Sequence, residues 1–452
     1  MIAPGLRAAT LGVAIYLLMV ASSSAASPPR VDRLIADTPA WITMNANGEY
    51  AVQASSDDNH PKPQMFLGSL AGDAIGPLNP WSQSRDDPGV FISDDGSTFV
   101  LQPLPYTSDV RKLGVAIYAP GASVPSLAYV KLPANRRIVS QDIGAGPGGD
   151  AEVSYAIQTR FRTSLQSAAV SPAGTVTPQP RIGQFRGAVY GVIPLVHFEA
   201  DGTLDAAYAP SEFDCDSYVK KAAARCRRAA TNVRFVRISP NGQRRVQAIH
   251  GGRACADPGM LDLDGRQTLI AECWTKTHSE TRISLSEPNG TFAAFQKFAL
   301  PNLGANGGYE IDNDAQGRAT LLFSVANDKR QTVSLVAAHL TPDGQIVDET
   351  TLVPPSSDSS FFDGAPLGHF VERPAGGLYV LTHFAGQPFQ LHTLSPQLAL
   401  GASVQIGPDD ADLANVALAK SGAGLATWSI FDDGDSDADP ATLSAGFVTA
   451  PN

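Results

Sequence analysis

The fold of this chain follows from one short unit, whose clearest copy reads Gln316-Gly317-Arg318-Ala319-Thr320-Leu321-Leu322-Phe323. A glycine in a short polar turn followed by an apolar run rich in β-favouring residues predicts a hairpin turn leading into a strand. The unit recurs along the chain at intervals of 46 to 63 residues. Its turn glycines are Gly48, Gly96, Gly149, Gly202, Gly265, Gly317, Gly376 and Gly422.

A second turn lies out of phase with the first. Its copies are Pro120-Gly121, Pro172-Ala173-Gly174, Pro240-Asn241-Gly242, Pro288-Asn289-Gly290 and Pro342-Asp343-Gly344. Two hairpins per unit imply four strands, and such a sheet cannot bury both of its faces alone. Stacking the units around a channel solves this, so the repeat predicts one all-β domain, a β-propeller with eight blades. Seven blades, and more broadly a tandem of two-sheet sandwiches, are the alternatives.

The composition agrees with a large folded β-protein. The 452 residues are 43% hydrophobic and only 17% charged, with 41 glycines and 34 prolines. That apolar fraction excludes a disordered chain. The formal net charge of −11 argues against a nucleic-acid binder held by phosphate contacts.

Residues 1–26 have the pattern of a secretory signal peptide. A positive Arg7 precedes an apolar run, and small residues follow at 21–26. An uncleaved membrane anchor is the alternative, but the run is short for a bilayer span. We therefore expect residues 27–452 to form the mature propeller, exported to the periplasm or the extracellular space. Whether residues 31–40 complete the last blade stays open at this point.

Export into an oxidising compartment predicts disulfides among the four cysteines. Cys255 and Cys273 flank a predicted turn at Asp264-Gly265 and would lie opposite each other on antiparallel strands. By elimination Cys215 pairs with Cys226, although the Ala-rich, helix-prone segment between them leaves a crossed pairing open. The sequence thus predicts a short helical, disulfide-pinned insertion over residues 209–231.

Part of the chain resembles the bacterial delta-60 repeats. The resemblance rests on Val196-His197-Phe198-Glu199-Ala200-Asp201-Gly202-Thr203-Leu204-Asp205-Ala206-Ala207-Tyr208 and on residues 337–348 and 263–270. Those repeats combine a strand, an Asp-Gly-x-Leu-Asp turn and an aromatic residue. The other units, notably the first three, depart from the pattern. The resemblance implies a propeller and transfers no catalytic residue.

If the strands after the turn glycines are equivalent, the loops that follow them emerge on one face, where function usually resides. The insertion at 209–231 is cationic within an acidic protein, which suggests a lid or docking surface for an anionic ligand; a solvated insertion is the alternative. Its candidate binding residues are Lys220, Lys221, Arg225, Arg227 and Arg228.

Three other loops carry candidate residues. A polar cluster of Asp57, Asp58 and His60 follows the first repeated strand, and His278 follows the fifth. Alternating acidic residues near the C-terminus resemble the start of a calcium loop, with Ala438 and Ser444 where such loops have Gly and Glu; a solvated acidic turn is the alternative. These candidate calcium ligands are Asp433, Asp435, Asp437 and Asp439.

The glycine-rich stretch at residues 144–149 lacks the ending of a phosphate-binding loop and predicts a connection between blades. No catalytic motif stands out in the sequence. The sequence therefore favours an exported binding or interaction scaffold with a protein or glycan partner. The alternative is a propeller enzyme that acts on an extracellular glycan or other polymer through carboxylates and a histidine from several blades.

Overall fold

The chain forms eight small antiparallel sheets arranged in a ring, an eight-bladed β-propeller. The structure is a computed structural model. It describes residues 34–35, 41–54, 64–72, 74–81, 88–103, 111–133, 136–159, 162–186, 194–199, 201–209, 232–250, 254–263, 266–274, 279–287, 290–297, 309–314, 316–327, 332–341, 345–356, 368–372, 377–384, 387–409, 411, 413–430 and 442–451. The predicted eight-bladed fold is confirmed.

Strand β1, Leu34–Ile35, lies apart from the first blade. Blades 1 to 4 then follow in chain order. Their strands are β2 Trp41–Met44, β3 Glu49–Ala54, β4 Gln64–Ser69 and β5 Ile75–Leu78; β6 Val90–Ile92, β7 Thr98–Leu101, β8 Lys112–Tyr118 and β9 Ser126–Lys131; β10 Arg137–Ala145, β11 Ala151–Thr159, β12 Arg162–Val170, β13 Val176–Pro178 and β14 Gly183–Arg186; and β15 Leu195–Phe198, β16 Leu204–Tyr208, β17 Asn232–Ile238 and β18 Arg244–His250. In blade 3 both β13 and β14 pair with β12, so two short strands share the outer position.

Blades 5 to 8 complete the ring. Their strands are β19 Ala254–Leu263, β20 Arg266–Trp274, β21 Ser279–Leu285 and β22 Gln296–Lys297; β23 Tyr309–Asn313, β24 Ala319–Asn327, β25 Thr332–Leu340 and β26 Ile346–Ser356; β27 Gly368–Glu372, β28 Leu378–Phe384, β29 Gln387–Leu394 and β30 Leu400–Ile406; and β31 Leu413–Leu418, β32 Ala423–Ile430 and β33 Thr442–Thr449. Strand β1 is the fourth strand of blade 8, where Leu34 pairs with Leu443 and Ile35 with Thr442. The N-terminal segment therefore closes the ring.

One geometry is shared by the turns at Gly48, Gly96, Gly202, Gly317 and Gly422. In blade 6 the Gly317 N–H donates to the Asp314 carbonyl at 2.9 Å, and the Asp314 N–H donates to the Arg318 carbonyl at 2.9 Å. Gly317 has a φ of +75°, a left-handed conformation that glycine adopts without the steric cost of a Cβ. Blade 7 has Leu398, with a φ of +60°, at this position of its second hairpin. The turn chemistry thus explains why glycine recurs with the blade period.

The direction of the strands divides the ring into two faces. The turns between first and second strands, and between third and fourth strands, lie on one face, which we call the turn face. The connections between second and third strands, and between blades, lie on the opposite face, which we call the loop face. The first strands of neighbouring blades contact each other around the whole ring and form the wall of the central channel.

The core consists of apolar layers between neighbouring blades. The described residues form eight buried hydrophobic clusters, and each one joins two adjacent blades. Between blades 4 and 5, for example, the Phe235 and Phe292 rings meet edge to face with centroids 4.6 Å apart. Strands buried on both sides read as nearly continuous apolar runs, as in β25, where eight consecutive residues after Thr332 are buried.

The predicted disulfide between Cys255 and Cys273 is confirmed. The two residues are directly paired across β19 and β20, with Cα atoms 4.0 Å apart, and both are fully buried between blades 4 and 5. The predicted Cys215–Cys226 pairing and the helical insertion lie outside the described residues. The signal peptide over residues 1–26 also lies outside them.

The composition of residues 144–149 suggested a connection between blades, and this prediction is wrong. The stretch lies within blade 3, where β10 and β11 are joined by a short 3-10 turn over Pro147–Gly149. Gly148 and Gly149 have φ values of +66° and +89°. The stretch is rich in glycine because the hairpin needs left-handed residues there.

Replacement of Gly242 by alanine tests the requirement for a left-handed turn residue. Gly242 has a φ of +80°, and a Cβ built on it meets nothing within 4 Å, so the cost comes from the backbone alone. We expect the free energy of unfolding to fall by about 1–2 kcal/mol. Gly144→Ala is the matched control, because its added Cβ also has open space and its φ is not left-handed. Denaturant titration of both variants should show no loss for Gly144→Ala, and equal losses would contradict the account.

Candidate functional site

The strongest polar constellation in the channel wall joins blades 6 and 7. Each first strand begins at the loop face, because the connection from the preceding blade lies there. Glu310 is the second residue of β23, and His369 is the second residue of β27. Both residues therefore lie at the end of the channel that opens on the loop face. We call them the channel-mouth pair.

Glu310 uses both of its oxygens on the neighbouring blade. Its Oε1 lies 2.7 Å from His369 Nδ1, and its Oε2 accepts the Phe370 backbone N–H at 2.6 Å. An N–H bonded in this way is not part of the ladder between β27 and β28, so it points to the channel side of β27. The contact therefore places Glu310 at the edge of the channel and ties blade 6 to blade 7.

The pair is accessible despite these contacts. The side chains of His369 and Glu310 are 45% and 41% exposed. Because an ionised carboxylate only accepts hydrogen bonds, it favours a proton on His369 Nδ1. In the neutral imidazole the other ring nitrogen, Nε2, is then an acceptor, and it has no protein partner among the described residues. An imidazole oriented by a carboxylate can bind a hydroxyl group or take a proton as a general base.

Among the side chains that the structure describes, two more carboxylates lie on first strands. Asp312 in blade 6 accepts the N–H of Asn313 at 2.6 Å, and Asp142 in blade 3 accepts the N–H of Ile143 at 2.8 Å. Partial desolvation by the surrounding protein raises the pKa of Asp142, although the residue is exposed, and its bond to Ile143 opposes the shift. The first strands thus contribute acidic groups to the channel wall. Their described side chains do not include a cluster of cations that would bind a polyanion.

All the binding and calcium residues predicted from the sequence lie outside the described residues. The strands that precede their loops are described, and β3, β16, β20 and β32 all end at the loop face, as the repeat predicted. The roles predicted for these residues stay predictions. They are Asp57, Asp58, His60, Lys220, Lys221, Arg225, Arg227, Arg228, His278, Asp433, Asp435, Asp437 and Asp439.

The sequence did not predict the channel-mouth pair. Its members lie 59 residues apart, and neither belongs to a recognisable motif. The available signal was their position, because Glu310 and His369 each occur seven residues before the predicted turn glycines Gly317 and Gly376. His383, near the end of β28, stacks on Phe389 within blade 7 at 4.1 Å between ring centroids.

Within the described ranges, no group of three or more histidine, cysteine or acidic side chains is arranged to hold a metal ion. The predicted calcium loop is not part of those ranges. The described residues also contain no helix long and apolar enough to cross a membrane.

No family model matches the chain, and no curated protein matches it. Similar solved structures include a Lactobacillus plantarum protein, 12% identical over 80% of this chain and 97% of that one, with a TM-score of 0.46. Puromycin hydrolase is 13% identical over 81% of this chain and 53% of its own, with a TM-score of 0.47. The β-fructofuranosidase of Bombyx mori is 12% identical over 80% and 91%, with a TM-score of 0.32. These likenesses are too distant to carry an argument about function, and the resemblance to delta-60 repeats stays a prediction.

Two buried carboxylates occupy equivalent positions in blades 3 and 4, three residues after the turn glycine. Asp205 is fully buried and receives two hydrogen bonds from Arg237, which lies opposite it on β17, and one at 2.9 Å from Gln267 in blade 5. Glu152 is 3% exposed and lies opposite Ala169. The same site therefore holds an ion pair in one blade and a carboxyl group without a cation in the other.

The environment of Glu152 favours its protonated form. Neither of its oxygens has a hydrogen-bond partner that meets ordinary geometry. Burial raises the pKa of Glu152 from 4.5 to about 7, the Ser167 hydroxyl partly offsets this rise, and the charge of Asp150 adds to it. Glu152 is a structural group buried beside the core, whereas the channel-mouth pair is open to a ligand.

The raised pKa of Glu152 predicts a stability that depends on pH. Between pH 4.5 and about 7 the folded state keeps a proton that the unfolded state has lost, so the free energy of unfolding falls as the pH rises. The loss amounts to about 3 kcal/mol. Glu152→Gln should remove this slope and be the more stable protein at pH 8, whereas the exposed control Glu287→Gln should keep the wild-type slope. Denaturant titrations from pH 4 to pH 9 measure how the free energy of unfolding changes with pH. An unchanged slope in Glu152→Gln would contradict the assignment of this slope to Glu152.

Proposed function

We propose that this chain is an exported binding protein that takes a hydroxyl-bearing ligand, a glycan, at the channel mouth on the loop face. The observation that carries the proposal is the channel-mouth pair, in which Glu310 orients His369 across two blades and both side chains are half-exposed. The predicted signal peptide over residues 1–26 supports export. The buried Cys255–Cys273 disulfide supports it as well, because cytosolic thiols are normally kept reduced.

The chemistry of the pair suits hydroxyl groups. A sugar hydroxyl can donate to His369 Nε2 and accept from another donor at once, as bound saccharides require. The pair also stands on two strands of a rigid ring, which keeps its geometry fixed and lowers the cost of binding. The net charge of −11 disfavours polyanions. The sequence also allows a protein partner, and the experiment below distinguishes a protein partner from a glycan ligand.

A second candidate function is an enzyme that acts on a glycan. A specific observation favours it, namely that a carboxylate and a histidine from different blades converge in hydrogen-bond contact. Glu310 would hold the ring, and His369 would act as general base through Nε2. No serine or cysteine nucleophile contacts the pair among the described residues, so the general-base role concerns a water molecule or a substrate hydroxyl.

Thermal shift and calorimetry with soluble oligosaccharides test the proposal. The panel comprises cello-, xylo-, malto- and chito-oligosaccharides, and a binder present at 100 times its dissociation constant stabilises the protein by about 2.7 kcal/mol. We expect one class to raise the melting temperature, and His369→Ala to weaken its binding at least tenfold. The matched control His250→Ala removes an exposed histidine from β18 in blade 4 and should bind as wild type.

Two outcomes would contradict the proposal. One is that no oligosaccharide stabilises the protein while a pull-down from the exported fraction captures a protein partner. The other is that His369→Ala binds the sugar as tightly as wild type. Release of reducing ends by wild type and its loss in His369→Ala would favour the enzyme over the binding protein.

A further inference from the structure

A cleft lies between blades 1 and 2 on the turn face, away from the channel mouth. Its volume is about 310 Å³, which is within the lower range of small-ligand sites. The residues that matter for its chemistry are Glu49, Leu67, Ser69 and Ile75 from blade 1 and Thr98 and Pro120 from blade 2. The cleft therefore combines apolar walls, hydroxyl groups and one carboxylate.

The carboxylate of Glu49 is held in place at the junction of the two blades. The Glu49 backbone N–H donates to Asn45 Oδ1 at 3.0 Å, which fixes it to the first turn of blade 1. Its stem packs against the turn glycine of blade 2, since a Cβ added to Gly96 would lie 3.2 Å from Glu49 Cγ. Both blades thus define where this side chain lies.

One oxygen of Glu49 lacks a hydrogen bond. Within the described part of the chain, Oε2 is buried and has no partner. A buried carboxylate oxygen without a donor is costly, because it has lost its water and gained nothing in return. A carboxylate held in this way favours a ligand that brings a donor to the cleft, and above all a positive charge, through a charge-assisted hydrogen bond.

We propose that this cleft binds an alkylammonium group, such as the side chain of a lysine on a partner peptide. The ammonium donates to the Glu49 carboxylate, and its alkyl stem packs on Leu67, Ile75 and Pro120. Lysine has this division into a charged head and an apolar stem. The negative net charge of the protein attracts such a group to the surface. This site is separate from the channel mouth and does not depend on the function proposed there.

Binding of pentylamine and 1-pentanol tests the proposal directly, because the two molecules share a stem and differ in charge. At pH 7, calorimetry and ligand-observed NMR should show that wild type binds pentylamine at least tenfold more tightly than 1-pentanol. Glu49→Gln should lose this preference. Glu287→Gln also removes one negative charge from the turn face, at an exposed position in blade 5, and should keep the preference.

A second variant separates loss of the site from loss of the fold. Ala122→Leu keeps the Glu49 carboxylate but places a larger side chain in the lining of the cleft, so it should block pentylamine while circular dichroism stays as in wild type. Retention of the preference for pentylamine in folded Glu49→Gln, or of pentylamine binding in folded Ala122→Leu, would overturn the proposal. Equal binding of pentylamine and 1-pentanol to wild type, or binding of neither, would overturn it as well.

Discussion

Each four-stranded blade has two apolar faces, and a sheet of this size cannot cover both of them by itself. The ring solves the problem, because every face packs on the next blade and the eight buried clusters form a closed series. Closure depends on the first and last parts of the chain sharing one sheet, through the pairing of β1 with β33. Every other feature of the molecule, including its sites, depends on this closed packing.

The same constraint determines where chemistry can occur. Packed faces leave little room for polar groups: Asp205 is paired with Arg237, and Glu152 is shifted towards its neutral form. Accessible polar groups occur on first strands and in turns of the described chain. The channel-mouth pair and the cleft at Glu49 are of this kind, since each is formed where two neighbouring blades meet.

Local chemistry made much of the fold predictable from the sequence. The turn glycines identify hairpins in the sequence, because glycine readily adopts the left-handed conformation that such turns need. The Cys255–Cys273 bridge was predicted from the register around the turn expected at Asp264-Gly265. Composition misled at residues 144–149, because a hairpin and a connection between blades both use glycine. The Glu310–His369 contact could not be predicted from the sequence, because it depends on the relative placement of two blades. Likewise, the contrast between Asp205 and Glu152 depends on the residues opposite them, Arg237 and Ala169.

The central claim about function is that Glu310 fixes the His369 ring so that Nε2 is presented at the channel mouth. Nitrogen-15 NMR of histidine-labelled protein at alkaline pH measures this most directly, with the His369 signals assigned by their loss in His369→Ala. The account predicts that the neutral ring carries its proton on Nδ1, and that Glu310→Gln removes this preference. A ring protonated on Nε2 in the wild-type protein would contradict it.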